Sequence, residues 1–86
     1  MEYDEVSKAI LRKMFYDTRI GGRHLSLEDL QRGFPSHEKG NVKNRLKKLI
    51  KENLILHHPA GYGMQYHLNP QRTEEISKII QDEEND

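Results

Sequence analysis

The residues best suited to bind another molecule lie within 36–51, where apolar and polar side chains recur with the period of an α-helix. On a helical wheel, one narrow arc consists of Val42, Leu46, Leu49 and Ile50. The opposite arc carries His37, Asn41, Asn44, Lys48 and Lys51. A carboxamide can bond an adenine edge in a bidentate way, and an ammonium group attracts phosphate or guanine acceptors. The pattern predicts a helix that packs on one side and contacts DNA with the other. Because lysine-rich faces are common, the alternative is a solvated surface helix.

Basic and acidic residues are separated along the chain, although the formal net charge is zero. Within 36–51, Glu38 is the only acid, and the basic residues are Lys39, Lys43, Arg45, Lys47, Lys48 and Lys51. After residue 73, Lys78 is the only base, and the acids are Glu74, Glu75, Asp82, Glu83, Glu84 and Asp86. Physiological salt screens the interaction between exposed charges more than about 8 Å apart, so the local basic patch, and not the net charge, governs attraction to phosphate. We predict that residues 81–86 form an acidic, disordered tail; the alternative is that the tail competes for the basic patch.

The elements upstream of the basic helix can be placed from periodicity and caps. Apolar residues at helical spacing predict a first helix over about 4–18. Residues 23–25 could form a short edge strand, and Ser26 is a candidate cap for a second helix. A turn at 33–35 follows, and Ser36 is a candidate cap for the basic helix. The basic helix therefore comes third in the chain.

A β-hairpin is predicted downstream of the basic helix. Asn53 tolerates a left-handed backbone and ends that helix, and an extended apolar run over 54–58 is typical of a strand. Glycine and proline interrupt the pattern over 59–63, after which Met64, Tyr66 and Leu68 alternate as in a second strand. Asn69 and Pro70 then indicate the start of a last helix.

In this order of elements, the chain resembles the winged helix-turn-helix superfamily of DNA-binding regulators. The positions that match its pattern are Val42, Leu46, Leu49, Leu54 and Ile55. The resemblance covers roughly residues 5–80 and implies an α+β fold: a three-helix core, a β-hairpin wing and an additional C-terminal helix. We place one winged-helix domain at residues 1–80. The resemblance also implies that Asn41, Asn44 and Lys48 face the major groove.

Several positions depart from the superfamily's pattern. Asn41 and Lys43 stand where small hydroxyl residues are frequent, and Asn44 stands at a frequent Arg position. Without that Arg, tight readout of guanine is not expected. Asn53 replaces the usual Gly, a change that preserves the left-handed turn.

The histidines of the hairpin raise the question of a metal site. His57 and His67 are expected to share one face of the sheet, but zinc takes three or four ligands. No Cys, Asp or Glu lies between His57 and Asn69, so we predict no metal. His58 and Tyr62, near the tip, are candidate contacts to phosphate or sugar. Tyr62 could equally pack over the turn.

The last helix carries an apolar stripe formed by Ile76, Ile79 and Ile80. A stripe outside a three-helix core needs cover, and the superfamily often dimerises on two-fold DNA sites through terminal helices. We predict a homodimer that buries this stripe. The alternative is that the stripe packs on the chain's own first helix.

Composition and motifs limit the functional classes. Eighty-six residues can bury one modest core, so an enclosed catalytic chamber is not expected. No phosphate-cradling glycine loop or nucleophile elbow is present, so we predict neither an enzyme nor a bound cofactor. No apolar run approaches the length of a membrane span, and the acidic N-terminus does not resemble a signal peptide. We expect a cytoplasmic protein without membrane contact.

We predict double-stranded DNA binding through residues 36–51, with a role in transcription regulation. The residues assigned to the interface are His37, Asn41, Asn44, Arg45, Lys47, Lys48, Lys51, His58 and Tyr62. The sequence identifies no small-molecule effector. The alternative function is a winged-helix protein-interaction or assembly module that does not bind DNA, which the neutral total charge and the isoleucine stripe would suit.

Overall fold

The computed structural model describes residues 3–18, 25–61 and 63–84. Within these ranges the helices are α1 (Glu5–Thr18), α2 (Leu27–Gln31), α3 (Lys39–Lys51) and α4 (Thr73–Glu84). One antiparallel hairpin consists of β1 (Ile55–Ala60) and β2 (Gly63–Leu68), and short 3-10 turns span Ser36–Glu38 and Pro70–Arg72. The predicted α+β class is confirmed.

The two strands of the hairpin are joined by a two-residue connection at positions 61 and 62. The register pairs Ile55 with Leu68 at one end and Ala60 with Gly63 at the other. Gly63 has a φ of +133°, a backbone conformation that residues with a Cβ rarely adopt. This glycine therefore favours the tight reversal that the sequence predicted.

A third backbone segment pairs with the hairpin at Leu25. The N–H of Leu25 donates to the carbonyl of Tyr66 at 2.9 Å, and the N–H of Tyr66 donates back at 2.8 Å. Leu25 thus forms a β-bridge where an edge strand was expected at 23–25; residues 23 and 24 lie outside the described residues. The bridge fixes Leu25, two residues before α2, against the sheet.

Helix α2 begins with a capping box. The hydroxyl of Ser26 accepts from the N–H of Asp29 at 3.1 Å, and the carboxylate of Asp29 accepts from the N–H of Ser26 at 3.1 Å. These bonds satisfy two backbone donors that the first turn would leave unpaired. The predicted cap at Ser26 is confirmed.

The start of α3 differs from the sequence prediction. Ser36 lies in a 3-10 turn that follows Pro35, and the α-helix itself begins at Lys39. Glu38 occupies the N-cap position without a side-chain hydrogen bond to the helix backbone, so the prediction that Ser36 caps this helix was wrong. The physical reason is that Pro35, in an extended conformation, starts a tighter turn before the α-helix. That turn supplies 3-10 bonds such as Glu38 N–H to the carbonyl of Pro35 at 2.9 Å.

The end of α3 is as predicted. Asn53 has a φ of +65°, the left-handed conformation that ends many helices. The N–H of Leu54 donates to the carbonyl of Leu49 at 3.1 Å, and the side-chain amide of Asn69 donates to the carbonyl of Asn53 at 2.8 Å. The turn from helix to strand is therefore held from both sides.

One apolar core lies between the helices and one face of the hairpin. Its buried members are Ile10, Leu11, Met14, Leu25, Leu30, Val42, Leu46, Leu49, Leu54, Ile55, Ile76 and Ile80. Helix α1 is central, because it packs against α3, β2 and α4. The core therefore fixes the buried side of α3 and leaves its other side toward solvent.

The isoleucine stripe of α4 belongs to this core. Ile76 is 0% exposed and Ile80 4% exposed within the single chain, while Ile79 is partly buried against the same cluster. The prediction that these side chains form a self-association surface was wrong for Ile76 and Ile80, because α4 folds back onto α1 and covers them. Helix α4 also continues to Glu84, beyond the predicted end of the domain at residue 80.

Candidate nucleic-acid interface

The side of α3 that faces away from the core presents one straight row of residues. Val42, Leu46 and Leu49 are buried. At 100° per residue, the positions roughly opposite them are Gly40, Asn44, Lys47 and Lys51, and all four are exposed. We call these four residues the outward row. Its spacing places two ammonium groups and a carboxamide along the crest of the helix.

The remaining polar residues of α3 lie on the two flanks of this row. Lys43 is exposed on one flank, while Asn41 and Lys48 are exposed on the other. The helical wheel places Asn41 and Lys48 on the outer face but does not distinguish the flank of the helix from its crest. His37 precedes the α-helix, and its ring lies 3.7 Å from the carboxylate of Glu38.

The two asparagines of α3 differ in the hydrogen bonding of their side chains. The side-chain amide of Asn41 donates to the Glu38 carboxylate at 3.3 Å. Asn44 lies in the outward row and makes no side-chain hydrogen bond to any residue that the structure describes. The amide of Asn44 can therefore meet a ligand without breaking an internal contact, whereas that of Asn41 cannot.

Five lysines make α3 the strongest basic surface among the described residues: Lys39, Lys43, Lys47, Lys48 and Lys51. All five are exposed, and none lies within ion-pair distance of a carboxylate in the described ranges. Elsewhere, by contrast, Arg32 pairs with Asp29 and Arg72 with Glu75. The charges of these five lysines are therefore not offset by ion pairs within the described ranges, which favours attraction of a polyanion.

Arg45 differs from these lysines because it is paired. Its side chain, 38% exposed, donates from Nε to the Asp4 carboxylate, just before the start of α1. Burial raises the pKa of Asp4, but hydrogen bonds from Arg45 and Ser7 and the charge of Arg45 outweigh it and hold that pKa below its ordinary value. Local sequence patterns do not reveal this contact, since the partners are 41 residues apart.

The hairpin contributes less to a basic surface. It has no Lys or Arg, and His58 is half-buried with its ring centroid 5.6 Å from that of His67. The expectation that His57 and His67 share one face of the sheet was wrong, because the register sets His57 opposite Tyr66 and Leu56 opposite His67. The rings of His57 and Tyr66 stack with their centroids 6.5 Å apart. Among the described residues no group of three His, Asp or Glu side chains could hold a metal ion. Tyr62 lies outside the described residues.

Gly40 is the member of the outward row whose residue type the fold does not explain. An added Cβ would meet no atom within 4 Å, and its φ is not in the left-handed region. Because glycine in a helix costs roughly 0.5–1 kcal/mol relative to alanine, it weakens the first turn without relieving a clash. A glycine here would, however, allow a ligand to approach the helix backbone closely.

We expect Gly40→Ala to raise the free energy of unfolding by about 0.5–1 kcal/mol, and to raise the melting temperature by a few degrees. If a ligand approaches at this turn, the same variant should bind that ligand more weakly. The matched control is Gly33→Ala, outside α3, where a Cβ would make only an ordinary contact with Lys13 Nζ at 3.8 Å. Unchanged ligand affinity in a stabilised Gly40→Ala chain would exclude close approach.

The chain matches no protein-family model, no curated protein and no solved structure. None of the helices in the described ranges combines the length and apolarity that crossing a membrane requires.

Proposed function

We propose that this protein is a winged helix-turn-helix domain that binds double-stranded DNA, with α3 in the major groove, and that it acts in transcription regulation. The observation that carries the proposal is the outward row of α3, in which Asn44, Lys47 and Lys51 are exposed. A helix fits the major groove, which is about 12 Å wide. Carboxamides contact base edges there and ammonium groups contact phosphates, so the row carries both kinds of contact.

The arrangement of the elements supports a winged-helix interpretation. Helix α1, the bridge at Leu25, helices α2 and α3 and the hairpin follow in the order expected for that superfamily. The hairpin directly follows α3, as a wing follows the recognition helix in that superfamily. His58 is the described candidate for a wing contact to the DNA backbone.

The alternative function is a protein-interaction module, and the hairpin is the feature that favours it. The hairpin lacks Lys and Arg, and Met64 on β2 is 41% exposed. The basic surface of α3 therefore does not continue onto the wing. Within α3, however, no acidic residue interrupts the outward row, and we prefer DNA for that reason.

Binding to a duplex of random sequence at several salt concentrations tests the proposal. Each phosphate neutralised by a Lys or Arg contributes about −0.9 to the slope of log affinity against log salt. With two lysines in the outward row and Lys43 and Lys48 beside it, we expect a slope of about −2 to −4 by fluorescence anisotropy. Absence of binding at about 50 mM salt, where phosphate attraction is strong, would overturn DNA binding and favour the interaction module.

A variant of Asn44 tests whether the chain reads base sequence. Asn44→Ala should cost about 1–3 kcal/mol on a preferred duplex selected from a random library, and much less on unselected DNA, because only a base contact discriminates. The comparison variant is Asn41→Ala, whose amide is held by Glu38. Equal losses on both duplexes would give Asn44 a positioning role only.

A further inference from the structure

We propose that Asp4 restrains Arg45 and thereby limits the number of DNA phosphates that the chain contacts, an inference that rests on the DNA-binding function proposed above. Arg45 lies on the same flank of α3 as Asn41, four residues before it, and Lys48, three residues after it. Unlike the lysines of α3, Arg45 has a carboxylate partner among the described residues. That partner, Asp4, lies outside the helix.

Asp4 is itself held in place by the start of α1. One carboxylate oxygen accepts from the N–H of Ser7 at 2.8 Å, and the backbone carbonyl of Asp4 accepts from the N–H of Lys8 at 3.0 Å. The other carboxylate oxygen is the one that binds Arg45. The pKa of Asp4 is below its ordinary value, so the carboxylate is charged at neutral pH.

A second contact aligns the same segment with α3. The hydroxyl of Tyr3 donates to the Glu52 carboxylate at 2.8 Å. Glu52 follows Arg45 by seven residues, two helical turns along the same flank. Tyr3 and Asp4 therefore lie along this flank of α3, and the restraint on Arg45 is part of an ordered contact.

A DNA phosphate and Asp4 compete for one guanidinium group. Asp4 takes up the Nε donor of Arg45 and offsets its charge, and the negative charge of Asp4 repels a phosphate that approaches this flank. Removing the charge of Asp4 should free Arg45 for one additional phosphate.

The test is Asp4→Asn, since asparagine caps helices as well as aspartate and can still accept from Ser7. On a random duplex, we expect tighter binding and a salt slope steeper by about 0.9. The ratio of the variant's affinity to the wild-type affinity should accordingly fall about 3.5-fold as salt rises from about 50 to about 200 mM. Asp4→Ser, a second uncharged cap, should behave alike, and circular dichroism checks that both variants fold.

Two controls separate restraint of Arg45 from general charge. Glu5→Gln removes the neighbouring exposed acid, which has no contact with Arg45, and should leave the slope unchanged. In an Arg45→Ala background, Asp4→Asn should no longer steepen the slope.

The outcomes distinguish the two proposals. A wild-type chain that binds duplex, together with an Asp4→Asn variant of unchanged slope, overturns the restraint alone. The restraint is also overturned if Asp4→Asn steepens the salt slope as much in the Arg45→Ala background as in the wild type. Asp4 would then act only as a general negative charge. A wild-type chain that binds no duplex overturns the proposed function and this inference with it.

Discussion

Replacement of Ile76 by Lys is expected to unfold the chain and not to release a folded monomer from a dimer. Ile76 is 0% exposed and packs in the core beneath α1. An unpaired ammonium group at such a position costs several kcal/mol, a large part of the roughly 5–15 kcal/mol by which small domains are stable. Thermal unfolding followed by circular dichroism should show no cooperative transition in the variant.

The matched control is Gln81→Lys, which adds the same side chain at an exposed position of α4. Its free energy of unfolding should change by no more than about 0.5 kcal/mol, as for most surface substitutions. Suppose instead that Ile76→Lys melted like the wild type and sedimented as a smaller species. The isoleucine stripe would then have to be an interface between copies of the chain.

The double variant Lys47→Ala and Lys51→Ala should lose most of its affinity for DNA. Both lysines lie in the outward row, exposed and without carboxylate partners among the described residues. If each neutralises one phosphate, the salt slope falls in magnitude by about 1.8 and the affinity at about 0.1 M salt falls about 60-fold. The loss should be similar on unrelated sequences, because phosphate contacts do not depend on the base.

Lys78→Ala provides the comparison, because Lys78 is an exposed lysine on α4. It lowers the net charge by one and should leave the slope unchanged, since a charge beyond about 8 Å is screened in physiological salt. Equal slopes for the wild type and the double variant would remove the outward row from any interface with DNA.

The amino-acid sequence alone was sufficient to predict features that depend on residues close together in the chain. Val42, Leu46 and Leu49 recur with the helical period, and they are buried as predicted. Ser26 caps α2 because its hydroxyl reaches a donor three residues ahead, and Asn53 ends α3 because it tolerates a left-handed backbone. Each of these depends on interactions within one or two turns of chain, which the order of residues specifies directly.

Features that depend on how elements pack required the tertiary structure. The stripe of Ile76 and Ile80 needed cover, but the sequence left open whether a second copy or the chain's own α1 supplies it; the fold of α4 onto α1 provides the answer. The pairing of Asp4 with Arg45 joins residues that come together only when α1 packs on α3. The strand register, which sets His58 and not His57 beside His67, was also not predicted. Periodicity shows that a face is apolar or that a residue is charged; which partner it meets depends on the packing of distant segments.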